Sequence, residues 1–517
     1  MVIENKIPSK KYTALIIFSL FLFSLIYRLP FWFIDVMNWD ESTFMLMGQS
    51  ILDRKLLYSD LWDLKPPLAF LSVSAIMALL GESIFSMRFL GVLSVFLSST
   101  IIYFINRKFF SFYLTLFLSF LSIPMMTIYF SGQSTTTEHL AMPFALLSLY
   151  ISIDKKNLSI KRAAIVGLLI SLASMVRLNL AYISIPIGII VLIYSNRFSI
   201  PGRFIVGLAY AVGGLLPIFF LISFYAYYGE LQLLYNSLIL APFTYSIEQK
   251  SIFDSLLIHT YDFIKLDGSL YVSFKFIMFF TALLGVIFSL LNLNKNNDHK
   301  RIKLLVFSLS LIFSVLATGG AFRHYLIQLS PIIVIYSGFF LNKLNDFRFA
   351  NYLFITMMIL FLILDSEDEM SQYKSLYLAI NNQVPLNNGY GYWAEEEINN
   401  LDLCDYSLYA MSHHIVYFLL DKKPPIPIVT HPSNLTKDYV IKALYGEKAS
   451  PKSQLEKIIQ KEPTIILKPK KVWYLKQYPM LENDLQSFLK QYSIHAEKDW
   501  VQIYIRNDAL ANNELCM

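Results

Sequence analysis

Apolar runs about as long as a bilayer is thick recur from residue 12 to residue 365, and this feature limits the fold more than any other. A spanning helix needs about 20 mostly apolar residues. Runs that meet or approach this length lie at 12–34, 86–105, 111–131, 138–153, 163–178, 180–195, 203–226, 271–293, 303–318, 325–341 and 350–365. The chain therefore reads as a polytopic α-helical membrane protein of about eleven spans. With 56% hydrophobic and only 15% charged residues, a soluble chain of this length would lack polar surface. Lys6, Lys10 and Lys11 precede the first run, which has no small-residue cleavage site, so it reads as an uncleaved signal anchor. The two cysteines, Cys404 and Cys516, provide neither a disulfide framework nor a metal cluster. A net charge of +6 gives no argument for nucleic acid.

Charge orders the topology. With the N-terminus inside, the inner connections carry Arg107 and Lys108; Lys155, Lys156, Lys161 and Arg162; Arg197 and Arg203; Lys295, Lys300, Arg301 and Lys303; and Lys343 and Arg348. Every one is basic, as the positive-inside rule expects. The outer connections are then 35–85, 132–137, the 177–180 turn, 227–270 and 319–324. The first holds Asp35, Asp40, Glu41, Asp53, Asp60, Asp63 and Glu82 together with two helix-like pieces, 41–53 and 67–80. A run of about 14 residues suits an interfacial or re-entrant helix. Counting 67–80 as a span would turn the basic loops outward. Beyond residue 365 no run can span, and the tail reads as a small extracytoplasmic α/β domain. Strands are expected at 407–409, 426–429, 464–467 and 501–505, with helices near 436–445, 452–461 and 481–491. The domain boundary falls between residues 365 and 366. These features fit a bacterial plasma membrane protein with a cytoplasmic N-terminus.

Several charged residues fall on the outer face. Asp40 and Glu41 follow the first span, and Asp40 reads both as the N-cap of the helix at 41–53 and as a general base on a hydroxyl. Asp63-Leu64-Lys65-Pro66-Pro67 sets a cation at headgroup level, where the prolines fix the backbone entering the next helix. The plain alternative is an interfacial turn with a snorkelling lysine. Arg88 begins the second span, and Arg177 ends another near Asn179. Glu138 follows the polar run 133–137, and Arg323-His324-Tyr325 opens the tenth span. Lys65, Arg88, Arg177 and Arg323 put cations on the face that the positive-inside rule depletes, which points to an anionic lipid headgroup. His413 and His414 read as ordinary residues of the tail, leaving His324 as the histidine near the site. No Gly-rich phosphate loop follows a strand, which argues against a cytoplasmic nucleotide-sugar site.

The order Trp39-Asp40-Glu41, Lys65-Pro66-Pro67-Leu68, Ser86-Met87-Arg88-Phe89, then Glu138 before Pro143-Phe144 and the segment 323–331, resembles the GT-C glycosyltransferases. The resemblance is to the protein O-mannosyltransferase and lipid A aminoarabinose transferase type (glycosyltransferase family 39 and its relatives). Relatives more often have Asp near position 138 and Lys near 177. The resemblance implies a GT-C-like fold and sugar transfer from a polyprenyl-phosphate donor to an acceptor hydroxyl on a lipid, glycan or protein outside the cytoplasm. A lipid-phosphate leaving group needs cations more than a general acid, which Lys65, Arg88, Arg177 and Arg323 could supply. Asp40 would be the base and Glu41 its helper. Asp63, Glu138, His324 and Tyr325 complete the candidates. Direct attack predicts inversion at the anomeric carbon. No metal-ligand spacing is visible, although some GT-C enzymes use a divalent cation.

Two rivals remain at this stage, beside a plainer option, a membrane anchor that displays the tail as a binding module, against which the charge concentrated in the first outer loop argues. A polymerase or ligase using lipid-diphosphate donors would share the spans and outer cations, but it gives no reason for Asp-Glu directly after the first span. A transporter or flippase should show repeat symmetry or broken midplane helices, and neither is visible.

Overall fold

The computed structural model describes residues 9–196, 199–247, 250–264, 273–293, 298–320, 322–344, 348–401, 403 and 405–511. Lys6, Arg197, Lys295, Cys404 and Cys516 lie outside the described residues. The chain is an integral membrane protein built mainly of helices. Among the described residues, five helices are long and apolar enough to cross a membrane: Lys10–Phe33, Ile84–Asn106, Ile200–Tyr227, Phe274–Leu291 and Arg323–Leu344. Shorter apolar helices occupy Pro67–Leu80, Phe112–Thr127, Leu178–Ile193 and Tyr352–Asp365. The other expected spans also form helices, at Thr137–Asp154, Ile160–Val176 and His299–Leu316.

The chain divides into two compact units. The first comprises Met1–Phe31, Arg88–Phe224 and Gln249–Leu378. Small residues let its helices approach closely, which suits packing in lipid. A Cβ at Gly285 would fall 1.8 Å from the carbonyl oxygen of Tyr336, so any larger residue there would push two helices apart. Serines replace some apolar contacts with hydrogen bonds, such as Ser122 to Ser99 at 2.9 Å. Arg28 is buried at the end of Lys10–Arg28, where its guanidinium donates to the carbonyls of Gly132, Gln133 and Ser134. It thereby satisfies backbone groups of an irregular segment that has no ladder of its own. The helix Ile200–Tyr227 leaves Phe204, Leu208, Leu215, Phe219 and Phe220 more than half exposed, as a lipid-facing helix requires.

The second unit comprises Trp32–Met87, Tyr225–Glu248 and Ala379–Met517. Its helices Trp39–Leu52 and Pro67–Leu80 correspond to the two helix-like pieces expected at 41–53 and 67–80. Its four strands are β1 (Leu408–Ala410), β2 (Ile465–Pro469), β3 (Tyr492–Lys498) and β4 (Val501–Arg506). The sheet order is β1-β2-β4-β3. β1 and β2 run parallel with Leu408 opposite Ile465, whereas β2 and β4 run antiparallel with Leu467 opposite Ile503. Ile465, Ile466 and Leu467 are fully buried, as a central strand covered on both faces requires.

Two strand expectations change, and the compact units are bounded elsewhere than at residue 365. Compactness does not divide the chain at residue 365. The helix Glu367–Ile380 continues the first unit as far as Leu378, anchored by a 2.8 Å bond from Gln133 to Glu369. The loop 32–87 instead packs with the tail. Asp35 donates its N–H to the carbonyl of Asn388 and accepts from the N–H of Gly391. A Cβ at Gly389 would lie 2.0 Å from that carboxylate, and the backbone there has φ +135°, so glycine is required. The strand expected at 426–429 is a turn: the N–H of Val429 donates to the carbonyl of Ile426, and the carbonyl of Pro427 accepts from Trp62 rather than from a neighbouring strand. β3 was not anticipated. It is a mostly exposed edge strand whose sequence, Tyr492-Ser493-Ile494-His495-Ala496-Glu497-Lys498, is largely polar.

Candidate active site

In the second unit, Asn38 caps the helix Trp39–Leu52: its side-chain oxygen accepts the N–H of Asp40 at 3.0 Å. Asp40 is therefore a first-turn residue and not the N-cap. This leaves its carboxylate free of a capping role while keeping it at the positive end of the helix. Lys65 lies opposite. Pro66 and Pro67 start the next helix, and the hydroxyl of Tyr58 donates to the carbonyl of Lys65 at 2.7 Å. The Lys65 ammonium is 2.8 Å from Asp40 and 3.4 Å from Asp63, whose side chain is only 2% exposed. It also lies 5.4 Å above the ring of Phe44. Glu41 is buried and its carboxylate accepts the N–H of Met37 at 3.2 Å. That contact fixes the loop entering the helix.

The tail brings further residues to this cluster. The N–H of Trp62 donates to Pro427, the hydroxyl of Thr430 donates to Trp62, and the hydroxyl of Thr43 donates to the carbonyl of Thr430 at 2.7 Å. These bonds carry the chain into the short helical turn Pro432–Thr436, and His431 and Lys437 flank it. Both interact electrostatically with Asp40 and Lys65, and Lys437 also with Asp63. Burial pushes His431 well below its ordinary value, with Lys437 and Lys65 adding to the effect. Its Nδ1 accepts the N–H of Ser433 at 3.3 Å, so the neutral ring carries its proton on Nε2. Burial, then the Lys65 ammonium, brings Lys437 down to about 8. His324 belongs to the first unit, and within the second unit His431 is the histidine that interacts with Asp40. Neither His431 nor Lys437 was readable from sequence, since Asp40, Asp63 and Lys65 stand more than three hundred positions earlier in the chain and no spacing rule connects them.

A second cluster lies in the first unit. Glu138 begins the helix Thr137–Asp154 and is 1% exposed. Arg177, at the C-cap of Ile160–Val176, approaches it to 2.9 Å and donates to the hydroxyl of Thr137 at 2.9 Å. The guanidinium stacks 4.2 Å from the ring centre of Tyr325, and His324 Nε2 lies 3.7 Å from Glu138. The four candidates Glu138, Arg177, His324 and Tyr325 therefore form one group. Arg323 turns instead to Asp262 at 3.0 Å, a partner that gave no sequence signal. Arg88 is fully buried in Ile84–Asn106. Among the described residues, no group of three or more His, Cys, Asp and Glu side chains is arranged to hold a metal ion.

Chemically, the first cluster pairs a carboxylate at a helix start with an ammonium fixed by prolines. The second holds a buried carboxylate with an arginine that presents further donors. Residues 64–223 match the family described as dolichyl-phosphate-mannose-protein mannosyltransferase. No curated protein matches the chain by sequence. Among solved structures, ArnT from Cupriavidus metallidurans in the apo state superposes with a TM-score of 0.62 at 11% identity, covering 96% of this chain and 98% of that one. ArnT from the same organism bound to undecaprenyl phosphate superposes with a TM-score of 0.60 at 10% identity, with the same coverage of each chain. The chain thus has an ArnT-like GT-C fold and, over residues 64–223, resembles the dolichyl-phosphate-mannose-protein mannosyltransferases.

Proposed function

We propose that this protein is an inverting glycosyltransferase that moves a sugar from a polyprenyl-phosphate donor to an acceptor hydroxyl on the extracytoplasmic face. The observation that carries this reading is the 2.8 Å pair between Asp40 and Lys65, a base and a cation held together, with Lys65 inside the residues that match a sugar-transferase family. The acceptor oxygen attacks the anomeric carbon while Asp40 takes its proton. The bond from that carbon to the phosphate oxygen breaks, and its electron pair stays on the phosphate, giving polyprenyl phosphate. Lys65 balances the charge that develops there. Attack from the face opposite the leaving group inverts the anomeric centre. Arg177 binds an anionic group of a substrate, with Glu138 and Tyr325 holding its guanidinium in place. The ArnT structure with undecaprenyl phosphate supports a lipid-phosphate donor by its fold and its ligand.

The reading places about eleven spans in a bacterial plasma membrane, with the N-terminus cytoplasmic and the loop 35–85 and the tail outside. The basic inner connections support that orientation. The acceptor is a lipid, glycan or protein hydroxyl. No further cofactor is invoked.

The test is transfer or hydrolysis of a purified polyprenyl-phosphate sugar by the purified protein. Asp40→Asn should lower turnover by about 10²–10⁴-fold, the usual contribution of a positioned base, while donor binding persists. Wild-type turnover in that variant would remove Asp40 from the mechanism. Retention of anomeric configuration in the product would remove direct attack. For orientation, a Ser59→Cys variant in a cysteine-free background should react with an impermeant reagent in intact cells, because Ser59 is exposed whereas Asp63 is not. Labelling only after lysis would reverse the topology.

A further inference from the structure

We infer that Lys437 and His431, both from the tail, complete the phosphate-binding site around Lys65, so that the tail is part of the donor site. This inference rests on the glycosyltransferase reading above and names residues for its donor phosphate.

Charge is the starting point. Lys65 alone is a poor anchor for an anion, because Asp40 and Asp63 both lie within ion-pair distance of its ammonium. Two carboxylates around one ammonium leave surplus negative charge, which repels a phosphate. Lys437 supplies the missing positive charge. It lies within the field of Lys65, Asp40 and Asp63, yet among the described residues it forms no salt bridge. Its ammonium donates to the side-chain oxygen of Asn434 at 3.1 Å, an acceptor that carries no charge. Two ammonium groups held near each other, one of them without a carboxylate, are stabilised by an anion that can meet both.

The neighbouring groups are donors. Neutral His431 holds its proton on Nε2, because Nδ1 is occupied by Ser433. Asn434 is completely buried, and its Nδ2 has no hydrogen-bond partner among the described residues. A buried amide left in that state is costly unless a ligand meets it. Lys437, His431 and Asn434 lie on or beside one short turn, pinned to Trp62 and Thr43 by the backbone bonds around Thr430. They are therefore placed by the same contacts that place the loop carrying Asp63 and Lys65. The shared chemistry is a phosphate monoester or diester. The anion that suits Lys65 and Lys437 together is the phosphate whose charge grows as the sugar leaves.

The experiment measures binding of undecaprenyl phosphate to the purified full-length protein in detergent, for wild type, Lys437→Gln, Lys437→Arg and the surface control Lys452→Gln. Undecaprenol, which lacks the phosphate, and inorganic phosphate are separate arms. Lys437→Gln should weaken undecaprenyl phosphate binding about 10–100-fold, as expected for losing one hydrogen bond to a charged group. Undecaprenol binding should be unchanged, and Lys437→Arg should restore most of the loss. Unchanged binding in Lys437→Gln, or an equal loss for undecaprenol, would overturn the inference while leaving the glycosyltransferase reading intact. Failure of the wild type to bind undecaprenyl phosphate would overturn that reading itself. Saturation by inorganic phosphate without any effect of the lipid would assign the site to a free anion and overturn the donor assignment.

Discussion

Lys65 holds two carboxylates apart as well as holding one in place, and a double-variant cycle with Asp40 reads that role directly. At an effective dielectric near 20, a unit charge pair at the 2.8 Å separation of Lys65 and Asp40 attracts by about 6 kcal/mol before desolvation is counted. The same arithmetic at 3.4 Å gives about 5 kcal/mol for Lys65 and Asp63. The two attractions are comparable, so the ammonium is shared and does not belong to Asp40 alone. The side chains of Lys65 and Asp40 are 19% and 16% exposed, which places the pair between an exposed ion pair and a buried one. Exposed pairs couple by about 0.2–1 kcal/mol, and groups sharing one network by up to about 3 kcal/mol. We expect a coupling of about 2 kcal/mol between Lys65→Met and Asp40→Asn, within that network range. Lys65→Met alone should be the most destabilising member of the cycle, because it leaves Asp40 and Asp63 as like charges with no cation between them. Adding Asp40→Asn should recover stability without recovering turnover. The assay is denaturant unfolding of the four proteins in one detergent, paired with transfer rates. A coupling below about 0.5 kcal/mol, the limit of ordinary additivity, would refute the shared-ammonium geometry.

Two further outcomes follow from the same charges. Arg177→Met strands Glu138, which is 1% exposed, and should destabilise by about 3–5 kcal/mol, whereas the double variant with Glu138→Gln should be milder. The melting temperatures of the three proteins decide this. The second concerns pH. Lys437 loses its proton near 8 in the folded protein and near 10.5 in the ordinary case. Because its folded value is lowered, the ammonium costs stability below about 8, and that cost is relieved as pH rises from 8 to 10.5. Phosphate binding needs the ammonium, so affinity for undecaprenyl phosphate should fall as pH rises through 8, while Asp40, Asp63 and Lys65 face the same anion. Lys437→Arg should carry strong binding to higher pH. A wild-type affinity that stays flat from pH 7 to 10 would separate Lys437 from the phosphate.

Much of the helical frame was legible because hydrophobic length is a local property. The expected runs at 138–153 and 303–318 reappear as Thr137–Asp154 and His299–Leu316, and the short run at 67–80 as Pro67–Leu80. Lys65 was readable for the same reason: Pro66 and Pro67 fix its backbone from positions next to it. Glu138, Arg177, His324 and Tyr325 were each found as charged or aromatic residues at helix ends, but their meeting depends on packing that no spacing encodes. The cap expected of Asp40 is provided by Asn38, two positions earlier, since Asn and Asp are both good caps and the sequence does not rank such close choices.

The tail shows the limit most clearly. Residues 426–429 are apolar and β-branched enough to read as a strand, yet Pro427 and Thr430 spend their backbone groups on Trp62 and Thr43. A strand assignment made from composition alone assumes that the partner is another strand. Here the partner is the loop that carries Asp63 and Lys65, and the consequence is chemical. The same bonds that prevent a fifth strand bring His431 and Lys437 within electrostatic reach of Asp40, so an error in secondary structure concealed the tail's two contributions to the acidic pair's surroundings. A tail serving only as a cap would not require an ammonium without a carboxylate beside Lys65, and neutralising Lys437 is the substitution that separates these two roles.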